Sequence, residues 1–356
     1  MDPVNLHEFE LAARERLPAM ALDYYAGGAG DEITLRENRA ALERIFLRPH
    51  VLRDVSRRAM RTRVLGAEIA MPVLAAPMAF QRLACAEGEL ATARAARAAG
   101  TVMSLSTFAT SAVEDVVAAG SPSPVWFQLY VFRDRGVTKA LVERAQAAGC
   151  TALVVTVDAP SLGRRDRDER NAFRLPDGLR IENLVGLTKD DLASRDAGSG
   201  LATYFLHQVD PALDASTVEW LRGITKLPIV VKGVLRGDDA SRAVDAGAAG
   251  VIVSNHGGRQ LDGAVASIDA LPDVVDAVGT RAEVLVDGGF RRGVDVVKAL
   301  AVGARAVLVG RPLLWGLAVD GERGARRVLE LLASEIDLAM ALCGCSEVGD
   351  IGRDLL

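Results

Sequence analysis

The chain is short of cysteine. Its four cysteines among 356 residues (Cys85, Cys150, Cys343 and Cys345) are too few and too awkwardly spaced for a disulfide scaffold or a Cys-x-x-Cys zinc site. Reduced structural thiols and no bound metal are expected. Aromatic residues make up only 4%, and there are just four histidines and five lysines, so a His or Lys placed among apolar neighbours stands out. No apolar run approaches the roughly 20 residues of a membrane helix, because charged residues interrupt every candidate window. A cationic excess is also missing. Net charge is −5 with Arg and Lys scattered, which excludes the electrostatic footprint of a nucleic-acid binder. Met1 to Leu17 lacks the basic start and apolar core of a secretory signal, and Arg353 to Leu356 is not the Ser-Lys-Leu peroxisomal address. A soluble, cytoplasmic protein is the expectation.

What is present is half apolar and one quarter charged, the composition of a compact domain, at a length that suits one large α/β barrel. Eight short apolar runs recur: Val73 to Ala76, Val102 to Ser106, Val125 to Tyr130, Leu153 to Val157, Ile229 to Val231, Gly250 to Val253, Val284 to Val286 and Ala306 to Val309. They read as parallel strands buried on both faces. Ala/Leu-rich helical segments separate them, for example Gly88 to Ala99, Val137 to Ala148, Asp238 to Ala246 and Val294 to Val302. The expected fold is therefore an α/β protein of the TIM (β/α)8 barrel type. An open doubly wound sheet would want Gly-x-Gly-x-x-Gly after its first strand, where this chain reads Pro77-Met78-Ala79-Phe80. The whole chain, 1–356, reads as a single domain. Residues 1–70 form an N-terminal cap, with helical pattern over Asn5 to Arg16 and Ile33 to Arg44 and an extended stretch near Val64 to Ile69 to plug the barrel's lower end. Residues 71–356 form the barrel, closed by an amphipathic helix over Ala325 to Leu342. A long connection after the fourth strand, Ala159 to Leu227, contains a lid loop over 176–213.

Barrels of this type place working groups at the carboxyl ends of their strands. There the sequence sets Ser106, Gln128, Tyr130, Thr156, Asp158, Lys232, Ser254, Asn255, His256, Asp287, Gly310 and Arg311. So many polar groups at strand ends need a polar ligand or a network to satisfy them. Lys232 sits inside an apolar strand, either in a structural ion pair or as a fixed cation that stabilises negative charge by ~4 kcal/mol at ~4 Å and an effective dielectric near 20. His256 reads as a satisfied core histidine if taken alone. In Ser254-Asn255-His256-Gly257-Gly258-Arg259-Gln260, however, an imidazole and a guanidinium share one Gly-rich turn, which suits acid/base work on a small carboxylate, with Asp158 to orient the ring. Asp287-Gly288-Gly289-Phe290-Arg291 after the seventh strand and Gly310-Arg311 after the eighth stand where barrels commonly bind phosphate.

Ser254 to Asp262, Asp287-Gly-Gly-x-Arg-x-Gly, Val231-Lys232-Gly233 and Asp23-Tyr24-Tyr25-Ala26-Gly27-Gly28 together resemble the FMN-dependent 2-hydroxy-acid oxidase and dehydrogenase family, along essentially the whole chain. The resemblance implies FMN as cofactor and oxidation of an (S)-2-hydroxy acid to the 2-keto acid, with O2 reduced to H2O2. It implies His256 as catalytic base, Arg165 and Arg259 as a clamp on the substrate carboxylate, and Tyr24 and Tyr130 as further substrate contacts. Pro77, Met78, Ala79, Ser106, Gln128 and Thr156 would line the isoalloxazine, with Lys232 and Ser254 at its N1/O2 edge to stabilise the reduced ring. Asp287 would meet the ribityl chain, Gly288, Gly289, Arg291, Gly310 and Arg311 would form the phosphate grip, and Phe290 would also contact the cofactor. Hydride transfer and carbanion formation both need the same base. A dehydrogenase, a decarboxylating monooxygenase of the same family and a catalytically silent flavin-binding protein are the alternatives. A homotetramer is the implied assembly. Met78 stands where many relatives have Thr, Cys85 replaces a family His, and Phe108 replaces the Trp of glycolate oxidases, so the wall over the substrate side chain differs.

Overall fold

The eight apolar runs become the eight parallel strands of a closed barrel in the computed structural model, which describes residues 3–187 and 208–356. An antiparallel hairpin, β1 (Thr62–Val64) and β2 (Ala67–Ile69), precedes them. The barrel strands are β3 (Val73–Ala75), β4 (Met103–Leu105), β5 (Val125–Leu129), β6 (Ala152–Thr156), β7 (Ile229–Val234), β8 (Gly250–Val253), β9 (Glu283–Asp287) and β10 (Ala306–Val309). They pair in sequence order, and β10 closes the ring onto β3 through Val307↔Val73 and Leu308↔Leu74. Such closure leaves no strand edge unpaired, so every strand can be β-branched and buried on both faces.

Side chains alternate across a strand, and this sorts the barrel interior by height. The lower interior is apolar: Leu74, Trp126, Ala152, Val154, Val230, Ile252, Leu285, Ala306 and Leu308 pack in one cluster with Val64 and Ile69 of the β1–β2 hairpin. The hairpin thus plugs the lower end, as its apolar pattern suggests. Two residues further along β5, β6, β7, β8 and β9 the inward positions become Gln128, Thr156, Lys232, Ser254 and Asp287. The site's floor is the upper layer of the barrel core.

Around the barrel, helices bury an apolar stripe each, among them Gly88–Ala98, Arg135–Ala148, Gly237–Asp245 and Gly293–Val302. The N-terminal cap contains α1 (Leu6–Arg16), α2 (Ala19–Ala26) and α3 (Ile33–Arg44). Asn5 caps α1 by accepting the Glu8 backbone N–H at 2.9 Å. The helix α2 was not expected, since its eight residues between Pro18 and Gly27 are too few for periodicity to show. The closing helix starts earlier than expected and runs Arg311–Cys343, broken at Asp320 and Gly321, where the backbone leaves helical geometry. Much of the expected lid loop, residues 188–207, lies outside the described residues. Among the described residues no helix is long and apolar enough to cross a membrane, and all four cysteines are free thiols.

Candidate active site

The polar strand ends form a continuous half-ring. Gln128 on β5 donates through Nε2 to Thr156 Oγ1 on β6 at 2.9 Å, and its Oε1 accepts from Ser106 Oγ and Thr107 N, both at 3.2 Å. Thr156 lies beside Lys232 of β7 in the barrel register. Lys232 Nζ donates to Ser254 Oγ at 2.9 Å and pairs with Asp287 Oδ2 of β9 at 3.2 Å. Burial opposes the charge on Lys232, but Asp287 and Asp158 outweigh it and raise the ammonium pKa above its ordinary value. The two readings of Lys232 therefore merge: it is ion-paired, and it also lines the cavity above.

Opposite the floor stands His256. Its φ of +58° is unusual for a residue with a side chain, and Gly257 and Gly258 follow in the same left-handed region at +64° and +75°. Ser254 Oγ accepts the His256 backbone N–H at 3.0 Å, which ties the turn to Lys232. His256 Nδ1 lies 2.8 Å from Asp158 Oδ1. Burial pushes the Asp158 pKa up, but the His256 charge and hydrogen bond, with Lys232, more than offset it and hold the carboxyl below its ordinary range. An ionised carboxylate only accepts, so Nδ1 carries a proton and donates it to Asp158 in this contact. Asp158 itself packs on Gly233, the bulged residue of β7 at φ +110°, where an added Cβ would come within 2.5 Å of Asp158 Cβ. Gly233→Ala is expected to destabilise the protein by about 2 kcal/mol or more through this collision and the positive φ, read as a lowered Tm.

Cationic groups occupy the remaining wall. Arg165 is buried and paired with Asp168 at 3.2 Å, and the Arg165 and Arg259 guanidiniums lie 5.5 and 4.9 Å from the Tyr24 ring centroid. Burial, followed by repulsion from Arg165, pushes Arg259 down to about 10, which still leaves it charged at neutral pH. Tyr24 stacks on Phe173 at 4.3 Å, and Tyr130 lies 5.1 Å from Phe108. Burial raises both phenols, reinforced at Tyr130 by the Asp158 charge, so they remain donors at neutral pH.

One cavity, open to solvent at its mouth, gathers these groups. Of the sequence-derived candidates, it is lined by Tyr24, Pro77, Met78, Ala79, Ser106, Gln128, Tyr130, Thr156, Arg165, Lys232, His256 and Arg259, with Asp287, Gly288, Gly289, Phe290, Arg291, Gly310 and Arg311. Two candidates lie behind the wall. Ser254 is fully buried beneath Lys232 and His256, and Asp158 stands behind the imidazole. Tyr25, Leu162, Gln260 and Leu314 also line the cavity although none of them ends a barrel strand. Gln260 was within reach, being next to Arg259. It donates to the carbonyls of Asp158 and Ser161, both at 2.9 Å, and fastens the His256 loop to the β6 end.

The far end of the cavity fits a phosphorylated flavin. Asp287 Oδ1 is buried without a hydrogen-bond partner among the described residues, so it can accept from a hydroxyl. Gly288 and Gly289 hold φ of +103° and +85°, exposing backbone N–H groups beside Arg291 and Arg311. Burial lowers both guanidiniums, Arg311 to about 9 with help from the neighbouring Arg259 and Arg291, a charge crowding that a phosphate relieves.

Known proteins carry the same pattern. A family model described as FMN-dependent dehydrogenase matches residues 13–356. The chain is 57% identical to an L-lactate oxidase of Nostoc sp., over 99% of this chain and 98% of that protein. It is 52% identical to glycolate oxidase 3 of Oryza sativa subsp. indica, over 98% and 95% respectively. A solved structure of mandelate oxidase with (S)-4-hydroxymandelic acid superposes with a TM-score of 0.94 at 48% identity, covering 99% of this chain and 98% of that one. A family match along nearly the full length, with relatives about half identical throughout, means that the chain belongs to the FMN-dependent dehydrogenase family.

Proposed function

We propose that the protein oxidises an (S)-2-hydroxy acid to the 2-keto acid with FMN, and that O2 takes the electrons and leaves as H2O2. The observation that carries this reading is the pairing of His256 with Asp158 at 2.8 Å on the cavity that Arg165, Arg259 and Lys232 also line. Oxidase, lactate and mandelate names among the relatives support it. Bound FMN supplies a two-electron acceptor. Gln128, Thr156 and Lys232 would meet its ring, Asp287 its ribityl chain, and Gly288, Gly289, Arg291 and Arg311 its phosphate.

Arg165 and Arg259 hold the substrate carboxylate by charge-assisted hydrogen bonds and so limit rotation about the Cα–carboxylate bond. Tyr24 and Tyr130 donate to the carboxylate and hydroxyl. His256 Nε2 takes a proton from the substrate, and Asp158 stabilises the imidazolium that results. The substrate gives up two electrons and two protons in all, and both appear in H2O2. Tyr24, Phe108 and Tyr130 line the cavity with aromatic rings. The protein acts as a soluble cytoplasmic homo-oligomer on this reading.

Anaerobic mixing with glycolate, lactate and mandelate tests the activity: the yellow enzyme bleaches with at least one, and bleaching with none defeats the proposal. An oxygen electrode then separates oxidase from dehydrogenase, with oxygen consumed and half of it returned when catalase is added. Arg259→Met is expected to raise KM for the hydroxy acid roughly 10- to 100-fold, the loss of one charge-assisted contact, with FMN still bound. Steady-state kinetics on the holoenzyme measure it.

A further inference from the structure

Asn38, on the cap helix α3, is buried and lies 217 positions from Asn255 in sequence, yet the two carboxamides exchange hydrogen bonds. Asn38 Nδ2 donates to Asn255 Oδ1 at 2.9 Å, and Asn255 Nδ2 donates back to Asn38 Oδ1 at 2.8 Å. Asn255 Oδ1 also accepts the Gly258 N–H at 3.1 Å, and its Nδ2 donates to the Val265 carbonyl at 3.0 Å. The Asn255 amide is therefore one of several supports of the left-handed turn that carries His256, beside Ser254 Oγ and Gln260, and it is the one fixed by a side chain of the cap. A turn with a positive φ at His256 persists only where its surroundings over-determine it.

The next residue reaches the other way. Arg39 Nη1 donates to the Gly289 carbonyl at 2.9 Å and pairs with Asp295 Oδ2 at 2.6 Å, and that same oxygen accepts the backbone N–H groups of Arg291 and Arg292, both at 3.0 Å. Gly289 lies flush against α3, since an added Cβ would strike the Asn38 carbonyl. Two adjacent residues of α3 thus hold two different parts of the site, the His256 turn and the Gly288–Arg291 cradle.

From this we infer that Asn38 and Arg39 are positioning residues, Asn38 for His256 and Arg39 for the phosphate cradle, so that the N-terminal cap is a part of the working site. The inference rests on the roles of His256 and the cradle given above. Asn38→Asp keeps the shape but sets oxygen against oxygen at Asn255 Oδ1. It is expected to lower kcat about tenfold or more, while KM and the FMN Kd stay within about twofold. Arg39→Met is expected to raise the FMN Kd about tenfold, measured by quenching of flavin fluorescence on the apoprotein, with kcat at saturating FMN within about twofold. Should Asn38→Asp fail to fold, Asn255→Asp breaks the same contact from the other side and carries the same expectation. Variants that melt earlier but keep both kcat and Kd overturn the inference, as do variants in which kcat and Kd change together whichever residue is altered. The FMN titration with Arg39→Met needs no turnover, so an enzyme inert toward every hydroxy acid defeats the functional reading while this arm still decides the role of Arg39.

Discussion

His256→Asn is expected to slow anaerobic bleaching by a 2-hydroxy acid by about 10⁴-fold, the upper end of what one general base contributes, with FMN retained. Asparagine is the informative replacement because it tolerates the left-handed region that position 256 occupies at φ +58°, whereas alanine adds backbone strain to the loss of the base. Stopped-flow absorbance of the holoenzyme measures the rate. A loss smaller than about tenfold removes His256 from the role of base. Asp158→Asn should slow the same step by less, and the double variant should be no slower than His256→Asn alone, because the carboxylate acts only through the imidazole. The pH range follows from the Asp158 shift. Its carboxyl is held below the ordinary 3.8, so the stability contributed by the ionised Asp158 carboxylate is in place above that value and is lost only as pH falls through the lowered one. At neutral pH, Asp158→Asn removes a charge, not a proton.

The barrel and much of the site were legible because both rest on short-range rules. Strand positions follow from apolar runs bounded by Gly and polar residues. Period-two alternation then places Gln128 above Trp126, Thr156 above Val154 and Asp287 above Leu285, on the inner face. What escaped depends on long-range contact or on segments too short to show a period. Helix α2 is one such segment. The amide pair of Asn38 and Asn255 is another kind, since neither residue differs locally from an ordinary helix-face or loop asparagine. Ser254 shows the limit of counting strand-end polar groups: it belongs to the right layer, but its hydroxyl is spent on Lys232 and the His256 backbone beneath the cavity wall. Lys232 shows the converse. Its position implied either an ion pair or a working cation, and the structure pairs the ammonium with Asp287 while keeping it on the cavity lining, an arrangement that suits either reading.

Lys232→Met should act on stability and on rate, and the two effects can be separated. Removing the ammonium leaves Asp287 buried without its cation, which is expected to destabilise the protein by about 3–5 kcal/mol, seen as a fall in Tm. In Lys232→Met/Asp287→Asn both charges are gone, so most of that stability returns. The rate does not return. A fixed positive charge about 4 Å from developing negative charge, at an effective dielectric near 20, is worth ~4 kcal/mol, or about a thousandfold in the bleaching rate. Both variants should therefore bleach about a thousandfold more slowly than the wild type under saturating hydroxy acid and FMN. A double variant that recovers rate along with Tm would reduce Lys232 to a structural counter-ion. The alkaline behaviour gives an independent check. The folded Lys232 pKa is raised above 10.5, so its stabilising contribution is full below that value and is lost as pH rises through the raised one. The alkaline loss of Tm that this produces in the wild type should be absent from the double variant.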